Sequence, residues 1–248
     1  MDRTFVIDSL PERANRYRDT HAIVVVDVFR ATTVIVTALS RGHRIYPVAT
    51  VDEAAMVAAQ LKNPILAGEQ GGIKPDGFEL NNSPAAVAQL DGSNPIVLLS
   101  SAGTQLLAHA RGASAIYVAC LRNFTATANQ IVLSDRRVAL IGAGTRGEAR
   151  PEDQMVCAWI GGLLLRNDFQ AENDATLAEV AAWNGVGVEV ITSSPSAEYL
   201  RNSNQAHDID FVLGHVDDVD AIALYNGQQV SLLPAGDEER SGLALQAT

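Results

Sequence analysis

Basic residues are scarce in this chain. Its 248 residues include 18 Lys and Arg against 29 Asp and Glu, a formal net charge of −11. A nucleic-acid groove needs a clustered Lys/Arg surface to neutralise phosphates, and an anionic membrane surface makes the same demand, so the composition argues against both partners. A small anionic ligand stays open, provided the few basic residues gather at one place. Cysteine is scarcer still. Cys120 and Cys157 lie far apart inside apolar segments, which is no disulfide framework. With no secretory signal pattern at the N-terminus, the expectation is two reduced, buried thiols in a cytoplasmic protein. Long apolar runs are missing too: "AWIGGLLL" (158–165) falls short of the roughly 18 residues a membrane span needs. The five histidines, His21, His43, His109, His207 and His215, show no paired ligand spacing, which argues against a zinc site.

What is present is an apolar chain of ordinary charge, 47% hydrophobic and 19% charged. Short β-branched runs alternate with Ala- and Leu-rich stretches. The runs are 4–7, 21–27, 44–49, 64–68, 95–100, 114–119 and 136–142. In "VDEAAMVAAQLK", Ala54, Val57, Ala58 and Leu61 recur at helical spacing, and Gly42 and Gly112 stand where a helix C′ glycine would. Strands apolar on both faces, alternating with helices, predict an α/β fold of three layers, a mostly parallel or mixed sheet flanked by helices. Residues 1–234 are expected as one domain, or two lobes, with 235–248 a flexible tail. In the second half, "WNGVGVEVITSS" reads as a helix end and a strand, and "IALYNGQQVSLL" as a hairpin turning at Asn226-Gly227. The Gly-, Pro- and Asn-rich stretch 69–84 is too long for an ordinary connection and reads as a functional loop.

Ligands of parallel sheets bind beyond the carboxyl ends of strands. Several polar groups fall at such ends. "IVVVDVFRATTVIV" (23–36) sets Asp27 after an apolar run, as a Mg²⁺ ligand or a phosphoryl-accepting nucleophile, followed by Arg30, Thr32 and Thr33 at a helix start able to grip phosphate. The plainer reading of Asp27 is a helix cap, but a cap needs no guanidinium beside it. Glu69 opens a glycine-rich loop carrying Lys74, like a lid over an anion. "SSAGT" offers Ser101 and backbone N–H groups as a cradle, and Arg122 follows "SAIYVAC". Gly142, Gly144 and Gly147 fit the G-x-G-x-x-G dinucleotide fingerprint, which would make the chain an NAD-dependent oxidoreductase. Pro151 delays the helix, however, and no strand ending in an acid follows at the required distance. Glu152 and Asp153 then sit in the first turn of a helix, as dipole partners, metal ligands or general base. The D-x-D-x-T phosphatase pattern fails at Phe29, and "DDVD" (217–220) reads as a solvated acidic turn.

Together "DVFRATT", "LAGEQGGIKPDGFELNNSP", "SSAGT", "CLRNFTA", "GAGTRGEARPED" and "DIDFVLG" resemble the 2-phosphosulfolactate phosphatase family of coenzyme M biosynthesis, up to about Pro234. The resemblance implies Mg²⁺ dependence and release of phosphate from a small sulfonated 2-hydroxy acid ester. Besides Asp27, Arg30, Thr32, Thr33, Glu69, Lys74, Arg122, Glu152 and Asp153, it points to Asn82, Ser83, Gly103, Thr104 and Asn123 as substrate-binding residues. Asp27, Glu69, Glu152 and Asp153 are the expected metal ligands, with Asp27, Arg30, Glu152 and Asp153 the catalytic group. Arg30, Lys74 and Arg122 are expected to bind the phosphate, carboxylate and sulfonate. One departure is Ala102, where the family usually has Asn in Thr-Thr-Asn-Gly-Thr. That bears on substrate identity, so a related phosphatase with a shifted anionic substrate, or a non-catalytic anion binder, is kept beside the first reading. A homo-oligomer is a further open expectation.

Overall fold

The computed structural model describes residues 3–234, so the tail expected at 235–248 lies outside the described residues. The first half alternates as the β-branched runs require: β1 (Thr4–Ser9), α1 (Ala14–Tyr17), β2 (Ala22–Val26), α2 (Ala31–Ser40), β3 (Ile45–Val48), α3 (Val51–Ala58), β4 (Ile65–Gly68), α4 (Pro84–Val87) and β5 (Ile96–Leu99). It continues through α5 (Gly103–Ala110), β6 (Ile116–Ala119), α6 (Phe124–Ser134), β7 (Arg137–Gly142), α7 (Pro151–Leu165) and the two-residue β8 (Gln170–Ala171). The helices α8 (Asp174–Ala182), α9 (Pro195–Asn202) and α10 (Ala206–Leu213) precede the hairpin β9 (Ala221–Tyr225) and β10 (Val230–Pro234).

All ten strands form one sheet in the order β4-β5-β3-β10-β9-β6-β2-β7-β1-β8. β4, β5 and β3 are parallel to one another, as are β6, β2, β7, β1 and β8. The Asn-Gly hairpin lies between these blocks and pairs antiparallel to β3 on one side and β6 on the other. The sheet is therefore mixed, and three successive antiparallel junctions reverse one block against the other. The two blocks still meet beyond their carboxyl ends, where Gly103, after β5, lies against Asp27, after β2.

Helices cover both faces. α2 is the most enclosed: every residue from Ala31 to Ala38 is buried, and it packs on β3, β6, β10, α4 and α5. One core holds Val25, Ile35, Leu98, Leu106 and Ile141 on this side; the other holds Phe5, Val24, Leu140, Met155 and Ile160 beneath α6 and α7. Gly42 and Gly112 have φ of +85° and +97°, the left-handed C′ position that ends α2 and α5 without a Cβ penalty.

Two sequence expectations change. Val188–Ser193 is a 3₁₀ helix, not a strand. Val188 and Ile191 both pack against the core, and residues three apart share a 3₁₀ face but point to opposite faces of a strand. The acidic turn 217–220 is not simply solvated, since Asp218 holds Arg122 and Asp217 accepts the Thr125 N–H. Both cysteines are buried and free. Among the described residues no helix is long and apolar enough to cross a membrane.

Candidate active site

Three strand-to-helix turns are closed by side chains that bond back on their own turn. At β2–α2, the Thr32 hydroxyl donates to the Asp27 carbonyl (2.8 Å) and accepts the Asp27 N–H (2.9 Å), while Thr33 donates to the Val28 carbonyl (2.8 Å). At β5–α5, Thr104 does the same with Ser100. At β6–α6, Asn123 accepts from the Cys120 N–H and donates to the Val118 carbonyl. Thr32, Thr33, Thr104 and Asn123, expected to touch substrate, thus build the turns that carry the site.

Asp27 projects from the first of these turns. Its carboxylate, 6% exposed, lies against the first residues of α2 and α5, where the Ala31 and Gly103 N–H groups favour its charged form. Two positive helix ends therefore converge on one acid. Gly103 must be glycine here: a Cβ would lie 2.5 Å from Asp27 Oδ2 and 2.6 Å from Ala31 Cβ. Burial above all, then the charges of Glu69 and Glu152, push the Asp27 carboxyl up to about 7, against the pull of the two N–H donors.

The neighbouring acids have distinct surroundings. Glu69 accepts the Ser101 N–H (2.7 Å) and hydroxyl (2.9 Å) and the Gly72 N–H (2.6 Å), which fastens the start of the 69–84 loop to the β5–α5 turn. Asp153 lies behind Asp27 and accepts N–H groups from Val28 (2.8 Å) and Gly144 (3.0 Å), joining the β2 and β7 turns. Burial and the charges of Asp27 and Glu152 raise its carboxyl well above the carboxylate range. Glu152 is 1% exposed and is raised by burial, opposed by hydrogen bonds from Ser196 and Ser194 at the start of α9; its Oε2 is buried without a hydrogen-bond partner.

In front of Asp27 is a cavity of about 460 Å³. Asp27, Arg30, Glu69, Asn82, Ser101 and Ala102 line one side. Thr145, Arg146 and Arg150 from the β7–α7 loop line another, and Pro195, Ser196, Tyr199 and Leu200 from α9 the third. Asn82 Oδ1 is buried with no partner. Arg150 is held by Glu148 (3.0 Å) and the Thr145 carbonyl (3.3 Å), while Arg146 is exposed, in a left-handed conformation (φ +55°), with no ion pair to a described residue. The Tyr199 hydroxyl donates to the Gly72 carbonyl (2.9 Å), tying α9 to the glycine loop across the cavity.

The structure does not bring three other expected residues to the cavity. The Lys74 ammonium donates to the Phe78 carbonyl (2.6 Å) inside its own loop. Arg122 forks onto Asp218 (2.9 and 2.6 Å) and bonds Thr37 (3.0 Å). Ser83 caps α4. Arg146 and Arg150 line the cavity instead. Both stand in "GTRGEARP", where the glycines and not the arginines drew attention. Ser196 and Tyr199 had no signal at all, because "SSPSAEYL" reads as an ordinary helix start.

Among the described residues, no three His, Cys, Asp or Glu side chains form a metal cage. Mg²⁺ is usually held by one or two carboxylates and several waters. The orphaned Glu152 Oε2 and the negative charges of Glu69 and Glu152 acting on Asp27 fit a cation of that kind.

A profile of the 2-phosphosulpholactate phosphatase family matches residues 8–228. A curated protein of Carboxydothermus hydrogenoformans, called "Probable 2-phosphosulfolactate phosphatase", is 33% identical over 203 residues, 81% of this chain and 84% of that one. Proteins with the same name from Clostridium botulinum (strain Eklund 17B) and Clostridium novyi (strain NT) are 28% identical over 219 residues and 32% over 162; they cover 84% and 64% of this chain, and 90% and 67% of their own. By this profile, and by relatives aligned over most of its length, the chain belongs to the 2-phosphosulpholactate phosphatase family.

Proposed function

We propose that the chain hydrolyses the phosphate ester of 2-phosphosulfolactate, giving sulfolactate and phosphate, and does so with Mg²⁺. The observation that carries the reading is a buried carboxylate, Asp27, lying against two helix N-termini and facing a cavity into which three arginines also reach. Arg30, Arg146 and Arg150 receive the phosphate, carboxylate and sulfonate, a set of anions that needs several such donors. Asp27 faces the phosphorus, and either attacks it in line, forming an aspartyl phosphate that a water then hydrolyses at phosphorus, or orients a water that attacks the ester directly. The ester P–O bond breaks, and the leaving oxygen takes up a proton. A phosphoryl group trapped on Asp27 by acid quench during turnover separates the first route from the second.

Asp27 and Glu152 would hold the cation, which would supply neutralisation of the phosphate charge. A dinucleotide reading through Gly142–Gly147 gains nothing from the geometry, because the Gly144 N–H is already taken by Asp153 and an acid stands where a pyrophosphate would bind. The substrate is tested by phosphate release from 2-phosphosulfolactate and from 2-phospholactate, which lacks the sulfonate. A preference of at least about tenfold is expected for the former, of the size of one charge-assisted contact, and Arg146→Ala is expected to narrow it. Equal rates on both esters would instead favour the shifted substrate that Ala102 suggests.

The cation makes a separate prediction. A carboxyl raised from 3.8 to about 7 binds its proton more tightly in the folded state, so folded Asp27 carries more protons than unfolded Asp27 across that window. Its contribution to stability is present at low pH and is lost as pH rises from about 4 to 7. In EDTA the protein should therefore melt higher at pH 5.5 than at 7.5, and Asp27→Asn should flatten that difference. MgCl₂ should raise the midpoint at pH 7.5 and do less at pH 5.5, where protons compete. A midpoint indifferent to Mg²⁺ at pH 7.5 would remove the cation from the proposal.

A further inference from the structure

Asp208 has no solvent exposure and lies near the start of α10, 178 residues along the chain from Arg30. Its Oδ2 accepts Arg30 Nη1 at 2.6 Å. Its Oδ1 accepts the Ser83 hydroxyl (2.6 Å) and the Ala85 N–H (3.2 Å), where the 69–84 loop ends and α4 begins. Gln205, just before α10, accepts from the same Nη1 (2.5 Å) and from Asn81 Nδ2 (2.8 Å), and Asn81 Oδ1 lies 3.4 Å from Arg30 Nη2. Arg30 is 4% exposed and still lines the cavity.

A guanidinium has five N–H donors in a planar fork. Asp208 and Gln205 engage both on Nη1, and Asn81 one on Nη2. No described residue takes a hydrogen bond from Nε. What remains is the Nε–Nη2 edge, the pair of parallel donors that binds an oxyanion bidentately. An arginine so buried could otherwise fold away from the ligand, and its long side chain would lose rotamer freedom on binding.

We infer that Asp208 is a positioning residue: it fixes the Arg30 guanidinium with its Nε–Nη2 edge toward the anion and anchors the end of the glycine loop to α10. The inference rests on the phosphatase reading only in placing an anion against Arg30. Asp208→Asn keeps the side-chain shape and removes the charge that orients Arg30.

The test is a double-mutant cycle of Asp208→Asn with Arg30→Ala. Two readouts are used: kcat/KM on 2-phosphosulfolactate, and calorimetric affinity for inorganic phosphate. Asp208→Asn should lower kcat/KM at least tenfold, mainly through KM, and weaken phosphate binding by a similar factor. In the Arg30→Ala background the same change should cost less than twofold, because nothing is left to position. A purely structural role would give the same penalty in both backgrounds, and that result overturns the inference, as does wild-type kcat/KM in Asp208→Asn. If Asp208→Asn does not fold, Gln205→Ala releases the same Nη1 more gently; a KM rise of about threefold that vanishes in the Arg30→Ala background supports positioning, and additivity overturns it. A wild type that binds phosphate with this coupling but does not turn over the ester leaves Asp208 in its role while removing the phosphatase reading. A wild type that binds no phosphate removes both.

Discussion

Asp27→Asn is expected to lower turnover by at least about 10³-fold, equivalent to roughly 4 kcal/mol of lost transition-state stabilisation, in a protein that still folds. Among the described residues, this carboxylate is the one acid that both faces the cavity and lies against two helix N-termini. An amide of the same shape can neither attack phosphorus nor accept a proton from water, and it is a poor ligand for a hard cation. For stability, two effects oppose each other. Removing the charge relieves repulsion from Glu69 and Glu152, but an amide nitrogen cannot stabilise the helix N–H groups that now face the carboxylate. An unmet buried donor costs about 1–3 kcal/mol, a range similar to the repulsion relieved, so the melting midpoint should move by only a few degrees. The checks are phosphate release and thermal unfolding on one preparation. Turnover within tenfold of wild type would show that the chemistry is centred elsewhere.

Gly103→Ala is expected to cost about 10²-fold in kcat/KM and about 1–3 kcal/mol of stability, the usual penalty of overpacking. Alanine is otherwise favoured over glycine within helices by up to about 1 kcal/mol, so the sign depends on space. Here the added methyl meets Asp27 Oδ2 at 2.5 Å and Ala31 Cβ at 2.6 Å, and the helix end that lies against Asp27 must withdraw. Gly162→Ala is the contrast. It lies inside α7, and a Cβ there meets nothing nearer than 3.8 Å, so it should be neutral or stabilising with activity unchanged. If both variants behave alike, the close approach of α5 to Asp27 carries no functional weight.

Much of the fold could be read from local pattern. The seven β-branched runs became β1 to β7 because a strand buried on both faces has to be continuously apolar. The Asn-Gly dipeptide formed its hairpin because Gly227, at φ +97°, tolerates the turn. Sheet order was not legible. No local feature says that the last hairpin inserts between β3 and β6, since strand pairing is decided by which edges remain free once the other strands have packed. The same holds for the two-residue β8 and for the 3₁₀ segment at 188–193, where burial of two residues outweighed the β propensity of the run.

The acids of the site were legible, and the bases only in part, for one reason. A carboxylate at the end of an apolar strand has its position dictated by its own element, so Asp27 and Glu69 could be placed at strand ends from spacing alone, while Glu152, in the first turn of a helix, read equally as a dipole partner. What an arginine does depends on which carboxylate lies within reach, and that partner is distant in the chain: Asp218 for Arg122, 96 residues on, and Asp208 for Arg30, 178 residues on. The amino-acid order by itself determined the alternation of elements, the family likeness and the acid at the centre. Only the tertiary structure decided which cations turn toward the cavity and which are neutralised away from it, because ion pairing acts over a few ångströms of space and is blind to separation along the chain.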